Sequence, residues 1–197
     1  MAVLLGFDPG GKGSFGWCVA YDNSVLPLQI VASGVSNHAA SAVATCLSAL
    51  PAAHDVLAAG IDAPLMWSRS GRRSADVRVR NAIRKAGAPH VGGTVQEVNS
   101  LRGACLVQGF LAAIELREHF PGLPLTEAHP KALRWLCMEA REFISSSEHE
   151  RDAALSAFTA WALINRPLGW SDLYAEKANS YPLVSMPLSY FMPISAG

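Results

Sequence analysis

The segment Val3-Leu4-Leu5-Gly6-Phe7-Asp8-Pro9-Gly10-Gly11-Lys12-Gly13 decides how the rest of the chain is read. Its apolar first half has the length and character of a buried strand. The strand ends on a carboxylate, and a glycine-rich turn follows at once. A charge delivered to the end of a buried strand does little for a core. It does place an acid where a metal or a phosphate can come close. Three later segments repeat the theme: Ile61-Asp62-Ala63-Pro64, Thr126-Glu127-Ala128-His129-Pro130, and Glu148-His149-Glu150-Arg151-Asp152-Ala153.

Working outward, residues 15–21 form a second apolar run with aromatic and β-branched members, and Asp22-Asn23-Ser24 is a turn signal. A third strand is expected within 27–35, which makes an antiparallel meander. Residues 38–50 have helical spacing and stop at Pro51. Residues 56–61 then form a short strand that ends at Asp62 and runs parallel to the first. Asp8 and Asp62 become sheet neighbours in this layout.

Residues 63–98 are the least regular part. They hold a helix near 74–86 and a loop with Gly87, Pro89, Gly92 and Gly93. A long segment just after Asp62 suits a substrate-facing lid. A helix over 100–119 follows, then a strand over 123–126 leading to Glu127. Pro130 suits the first turn of a helix over 130–141. Ser147 with Glu150 reads as a capping box opening a helix that runs to about residue 164. A last strand is expected near 184–191. The expected fold is α/β and ribonuclease-H-like. It has a five-stranded mixed sheet, three antiparallel strands then two parallel, with helices on both faces. Residues 1–197 read as a single domain carrying a basic helical and loop insertion at about 63–98.

Composition narrows the class. Half of the 197 residues are hydrophobic and 16% are charged, enough apolar material for a large core and too little charge for disorder. No apolar run reaches the ~18 residues of a membrane span. The first residues lack the basic region of a signal peptide. These features predict a cytoplasmic protein with no membrane partner. Cys18, Cys46, Cys105 and Cys137 match no zinc spacing. The net charge is zero, yet Arg69, Arg72, Arg73, Arg78, Arg80, Arg84 and Lys85 cluster with Asp76 as the only acid among them. Such a stripe can track a phosphate backbone. Arg69, Arg72, Arg73 and Arg80 are therefore the expected substrate-binding arginines. Lys12 joins them as a candidate phosphate contact from the glycine-rich turn.

Two-metal phosphoryl chemistry needs carboxylates from different elements meeting at one point, with ions ~3.5–4 Å apart. Mg²⁺ and Mn²⁺ take such oxygen ligands. Asp8, Asp62 and Asp152 are the expected catalytic acids and metal ligands. Asp152 lies in an Ala-rich helix, where Asp is a poor helix former without another role. Glu148, at i−4 on the same face, is the fourth candidate metal ligand. Glu127 is either a further catalytic acid or a residue that positions substrate through His129. His149 is a candidate general acid or base.

The four acidic segments, taken with Gly16-Trp17, resemble the motif series of domain-of-unknown-function family 429 over roughly residues 4–160. That family is described as predicted nucleases of the ribonuclease-H fold. The resemblance implies that Asp8, Asp62 and Asp152 match its catalytic acidic positions, with Glu127 as a further motif acid. The leading expectation is a Mg²⁺- or Mn²⁺-dependent nuclease acting on a nucleic acid of unspecified type, with a homo-oligomer left open. An actin-like phosphotransferase or ATPase is the first alternative, although such proteins generally pair two of these domains. A non-catalytic nucleic-acid- or protein-binding module is the second.

Overall fold

The computed structural model describes residues 1–23, 26–68, 72–96, 103–175 and 180–194. The first strands follow the apolar runs closely: β1 is Ala2–Asp8, β2 is Phe15–Tyr21 and β3 is Ile30–Ser36. They pair antiparallel in sequence order. Helix α1 (Ala39–Ser48) carries the chain to β4 (Asp55–Ile61), which lies parallel to β1 with Phe7 opposite Ile61. The expected neighbourhood of Asp8 and Asp62 is therefore present.

Beyond Asp62 come β5 (Met66–Ser68), α2 (Ser74–Lys85) and the short α3 (Val91–Thr94). Next are α4 (Gly103–His119), β6 (Leu125–Glu127), α5 (Pro130–Leu136) and α6 (Glu148–Asn165). The tail supplies β7 (Ser171–Asp172), β8 (Ser180–Pro182) and β9 (Leu188–Met192).

The sheet has seven strands, in the order β3-β2-β1-β4-β6-β9-β7, and not the expected five. Its first five strands are the expected ones. The tail supplies the other two: β9, the strand expected near 184–191, joins the sheet parallel to β6, and β7 lies antiparallel to β9. Burial explains why this tail folds onto the sheet: Leu188, Tyr190, Phe191 and Met192 are all core residues. The segment 63–98 is likewise not only helix and loop. Its strand β5 pairs with β8, which ties the insertion to the tail. The helix expected over 130–141 breaks at Cys137, whose backbone is extended, and a 3-10 turn occupies Glu139–Arg141.

Helices cover both faces of the sheet. On one face α6 crosses β1, β2 and β4. It is buried without a break from Asp152 to Leu163, as befits a helix that is apolar nearly all round. Its approach is possible because the strands carry glycine beneath it. A Cβ on Gly6 would stand 2.0 Å from the Ala153 carbonyl oxygen, and one on Gly60 would stand 1.9 Å from that of Ser156. On the other face α1 packs against α4, and Gly109 of α4 rests on Ala63, Pro9 and Ile61. Among the described residues no helix is long and apolar enough to cross a membrane.

Candidate functional site

Three elements deliver acids to one cavity of about 690 Å³. Asp8 comes from the end of β1, Asp62 from the turn after β4, and Glu148 and Asp152 from the first turns of α6. Gly10, Gly11 and Ser14 of the glycine-rich turn form part of the wall, as do Gly93 and Thr94 of α3. The cavity also receives His129, Lys131 and His149. Local chemistry sets these positions. The backbone N–H of Asp62 donates to the Phe7 carbonyl, which registers the two strand ends. Ser147 caps α6 by accepting from the Glu150 N–H. The reciprocal half of the expected capping box is not made, because the Glu150 carboxylate accepts a hydrogen bond from the Ser33 hydroxyl at 2.7 Å.

Each acid is only partly engaged. Asp8 Oδ2 lies 2.7 Å from His149 Nδ1. Arg151 Nε and Nη2 both donate to Oδ1 of Asp152, at 2.9 and 2.8 Å. Glu148 Oε1 stands 3.2 Å from Lys131 Nζ and 3.5 Å from Arg151 Nη2. Among the described residues, the second oxygen of each of these carboxylates, and both oxygens of Asp62, accept no hydrogen bond from the protein. Burial pushes the Asp62 carboxyl well above the usual range, and the neighbouring Asp8 and Asp152 push it further. Burial likewise raises Asp8 to about 6, against the pull of His149. Asp152 is raised by burial and lowered in part by Arg151.

Hard, unengaged carboxylate oxygens around a polar cavity are the donor set that Mg²⁺ or Mn²⁺ takes. The ions' charge would offset the mutual repulsion that raises these acids. Among the described residues, no three His, Cys, Asp or Glu side chains already stand in a metal-binding group. The acids share a cavity wall without forming a closed cage.

Glu127 is not part of this wall. It is fully buried behind it, where Oε1 accepts from the backbone N–H of Leu65 (2.5 Å) and Met66 (3.0 Å) and from Arg73 Nη1 (2.7 Å). Burial pushes the Glu127 carboxyl up to about 7, and Arg73 pulls against that rise. Its role here is to hold the turn that carries Asp62. Arg73 is also removed from the substrate-binding set. It is buried, and it bonds Asp76 through Nε and Nη2 and the Met66 carbonyl through Nη1. Burial alone would lower its pKa, but Glu127 and Asp76 hold it above the ordinary value.

Arg72, Arg80 and Lys12 also stand apart from the cavity. Arg80 donates to the Val95 carbonyl, and neither Arg80 nor the exposed Arg72 lines the cavity. Lys12 is exposed in its turn and likewise absent from the wall. Arg69 lies outside the described residues. The described part of the basic stripe is thus split: Asp76 and Glu127 draw Arg73 inward, while Arg72 just before α2 and Arg84 and Lys85 at its end are exposed.

Two cationic residues of the site escaped the sequence reading. Lys131 sits one position beyond the Glu127-Ala128-His129-Pro130 motif, and Arg151 sits inside the last acidic motif. Both were legible as cations among acids, but linear spacing does not reveal which acid each one pairs with. His129 lines the cavity with its ring 5.1 Å from that of Tyr190, and burial lowers its pKa to about 4, which keeps it neutral at pH 7. No family model matches this chain, and searches of curated proteins and of solved structures return no match.

Proposed function

We propose that the protein is a Mg²⁺- or Mn²⁺-dependent nuclease that hydrolyses phosphodiester bonds at the Asp8–Asp62–Asp152–Glu148 cavity. One observation carries this reading: acids from three separate elements present to one space oxygens that no described residue engages. The strand order β3-β2-β1-β4-β6, with the first three strands antiparallel and the next two parallel, supports a ribonuclease-H-like fold extended by the tail. The resemblance to family 429 points the same way and adds to fold more than to chemistry. Four free thiols suit a reducing, cytoplasmic setting.

Divalent cations held by these oxygens, two in the reading preferred here, would supply Lewis-acid stabilisation of charge on the phosphoryl group. The chain's own residues do the rest. His149 fixes the orientation of the Asp8 carboxylate, and Arg151 fixes that of Asp152. The wall of Gly10, Gly11 and Gly93 leaves room for a bulky phosphoester to approach. Glu127 keeps the Asp62 turn in place from behind.

A non-catalytic binding module is the second reading. The pairing of Glu148 with Lys131 and of Asp152 with Arg151 favours it, because an acidic cluster neutralised by its own cations has less need of a metal. Calorimetric titration of Mn²⁺ into the wild type and into Asp62→Asn separates the two. Stoichiometric binding that is lost in the variant supports the nuclease reading, and cleavage of single-stranded, duplex and hybrid substrates is then assayed with Mn²⁺. Binding absent from the wild type supports the module.

A further inference from the structure

Among the described residues, Lys131 is the only lysine or arginine that lines the cavity. It lies in the first turn of α5, and its ammonium reaches Glu148 at 3.2 Å. It shares the cavity wall with Asp8, Asp62, Asp152 and Glu148. Both partners of the contact are more than half exposed, so the tie to Glu148 is a weak one and easily exchanged. A lysine is a compact charge on a flexible stem, suited to changing partners.

We propose that Lys131 is an exchangeable counter-ion of the site: it balances the carboxylates when they are free of metal, and it contacts a phosphoryl oxygen of the substrate when they are neutralised. This rests on the reading of the cavity as a metal-dependent phosphoester site and adds its anion-contacting residue. Lys131 takes the place of the buried Arg73, and of Arg72 and Arg80 outside the wall, as the described cation offered to a substrate phosphate. The two roles predict effects of opposite sign. Without Lys131 the carboxylates lose a competing positive charge and bind a divalent cation more tightly. The same change removes a contact for phosphate and weakens its binding.

The test is calorimetry at low ionic strength on the wild type, Lys131→Met and Lys131→Arg. Mn²⁺ is titrated first, and inorganic phosphate is then titrated into the Mn²⁺-saturated proteins. The expected result for Lys131→Met is Mn²⁺ affinity raised about three- to tenfold and phosphate affinity lowered by a similar factor, the scale of a half-exposed charge. Lys131→Arg, which keeps the charge, should stay near the wild type in both titrations. Mn²⁺ affinity unchanged or reduced in Lys131→Met overturns the inference and leaves the metal site standing. No Mn²⁺ binding by the wild type removes the metal site itself, and the inference with it.

Discussion

The backbone N–H of Asp62 donates to the carbonyl of Phe7 at 2.9 Å, which fastens the first residue after β4 beside the last residue of β1. Two carboxylates that repel each other when ionised are thus held side by side by main chain. Burial, and then Asp8 and Asp152, push the Asp62 carboxyl well above the usual range. Asn keeps the shape and removes the charge. Metal-free Asp62→Asn should therefore melt a few degrees higher than the wild type near neutral pH, on a scale of ~2–4 °C per kcal/mol for a chain of this size. It should also fail to gain stability from Mn²⁺. Thermal unfolding with and without Mn²⁺ checks both, and a lower melting temperature in the metal-free variant would contradict the account.

Asp8 gives a pH dependence of defined sign. Its carboxyl is raised by burial from 3.8 to about 6. The folded protein keeps this proton over a range in which the unfolded chain has lost it. The stability that Asp8 contributes is therefore full below about pH 3.8 and is lost as the pH rises through about 6. The stability of the wild type relative to Asp8→Asn should decline across that window and level off above it. Denaturant midpoints for the two proteins at several pH values, in metal-free buffer, measure this. A relative stability that climbs with pH would refute it.

The Arg73–Glu127 pair is expected to behave as a buried strut. Removing one partner leaves a charge without compensation, so Arg73→Met or Glu127→Leu alone should cost about 3–5 kcal/mol. The double variant should cost clearly less than the sum, because Glu127 is then not stranded, although Asp76 still loses its partner. Urea unfolding of the four proteins gives the coupling energy. Strict additivity would mean that the two residues act independently.

Ser147 is a smaller lever on the same helix that carries Glu148 and Asp152. Its hydroxyl accepts from the Glu150 N–H at a long 3.4 Å. Ser147→Ala should therefore cost about 0.5–1 kcal/mol, toward the low end for caps. Equilibrium unfolding reads this directly, and a cost above about 2 kcal/mol would point to a further role for the hydroxyl.

The early strands were legible because their signals are local. Apolar runs of strand length set β1, β2 and β4, and the acids that end two of them mark one edge of the cavity. The tail was less legible. Leu188–Met192 is a strand because it finds β6, a partner more than sixty residues earlier, and no local pattern names that partner. The same holds for charge. Arg73 and Arg72 look alike in sequence, yet one is buried against Glu127 and the other lies exposed. What separates them is where α2 begins relative to β6. Glu127 likewise reads as one more strand-end acid, but it faces the turn that carries Asp62 and not the cavity.

The glycines under α6 have a consequence for precision. At Gly6 and Gly60 the helix backbone rests on strand backbone, with no side chain between them. The distance from the helix-borne acids to the strand-end acids is therefore gauged by peptide groups, the stiffest parts of the chain, and not by side chains that can change rotamer. A single methyl group at either glycine lies outside the cavity wall, yet it would lift α6 as a rod and carry Glu148, His149 and Asp152 away in one movement.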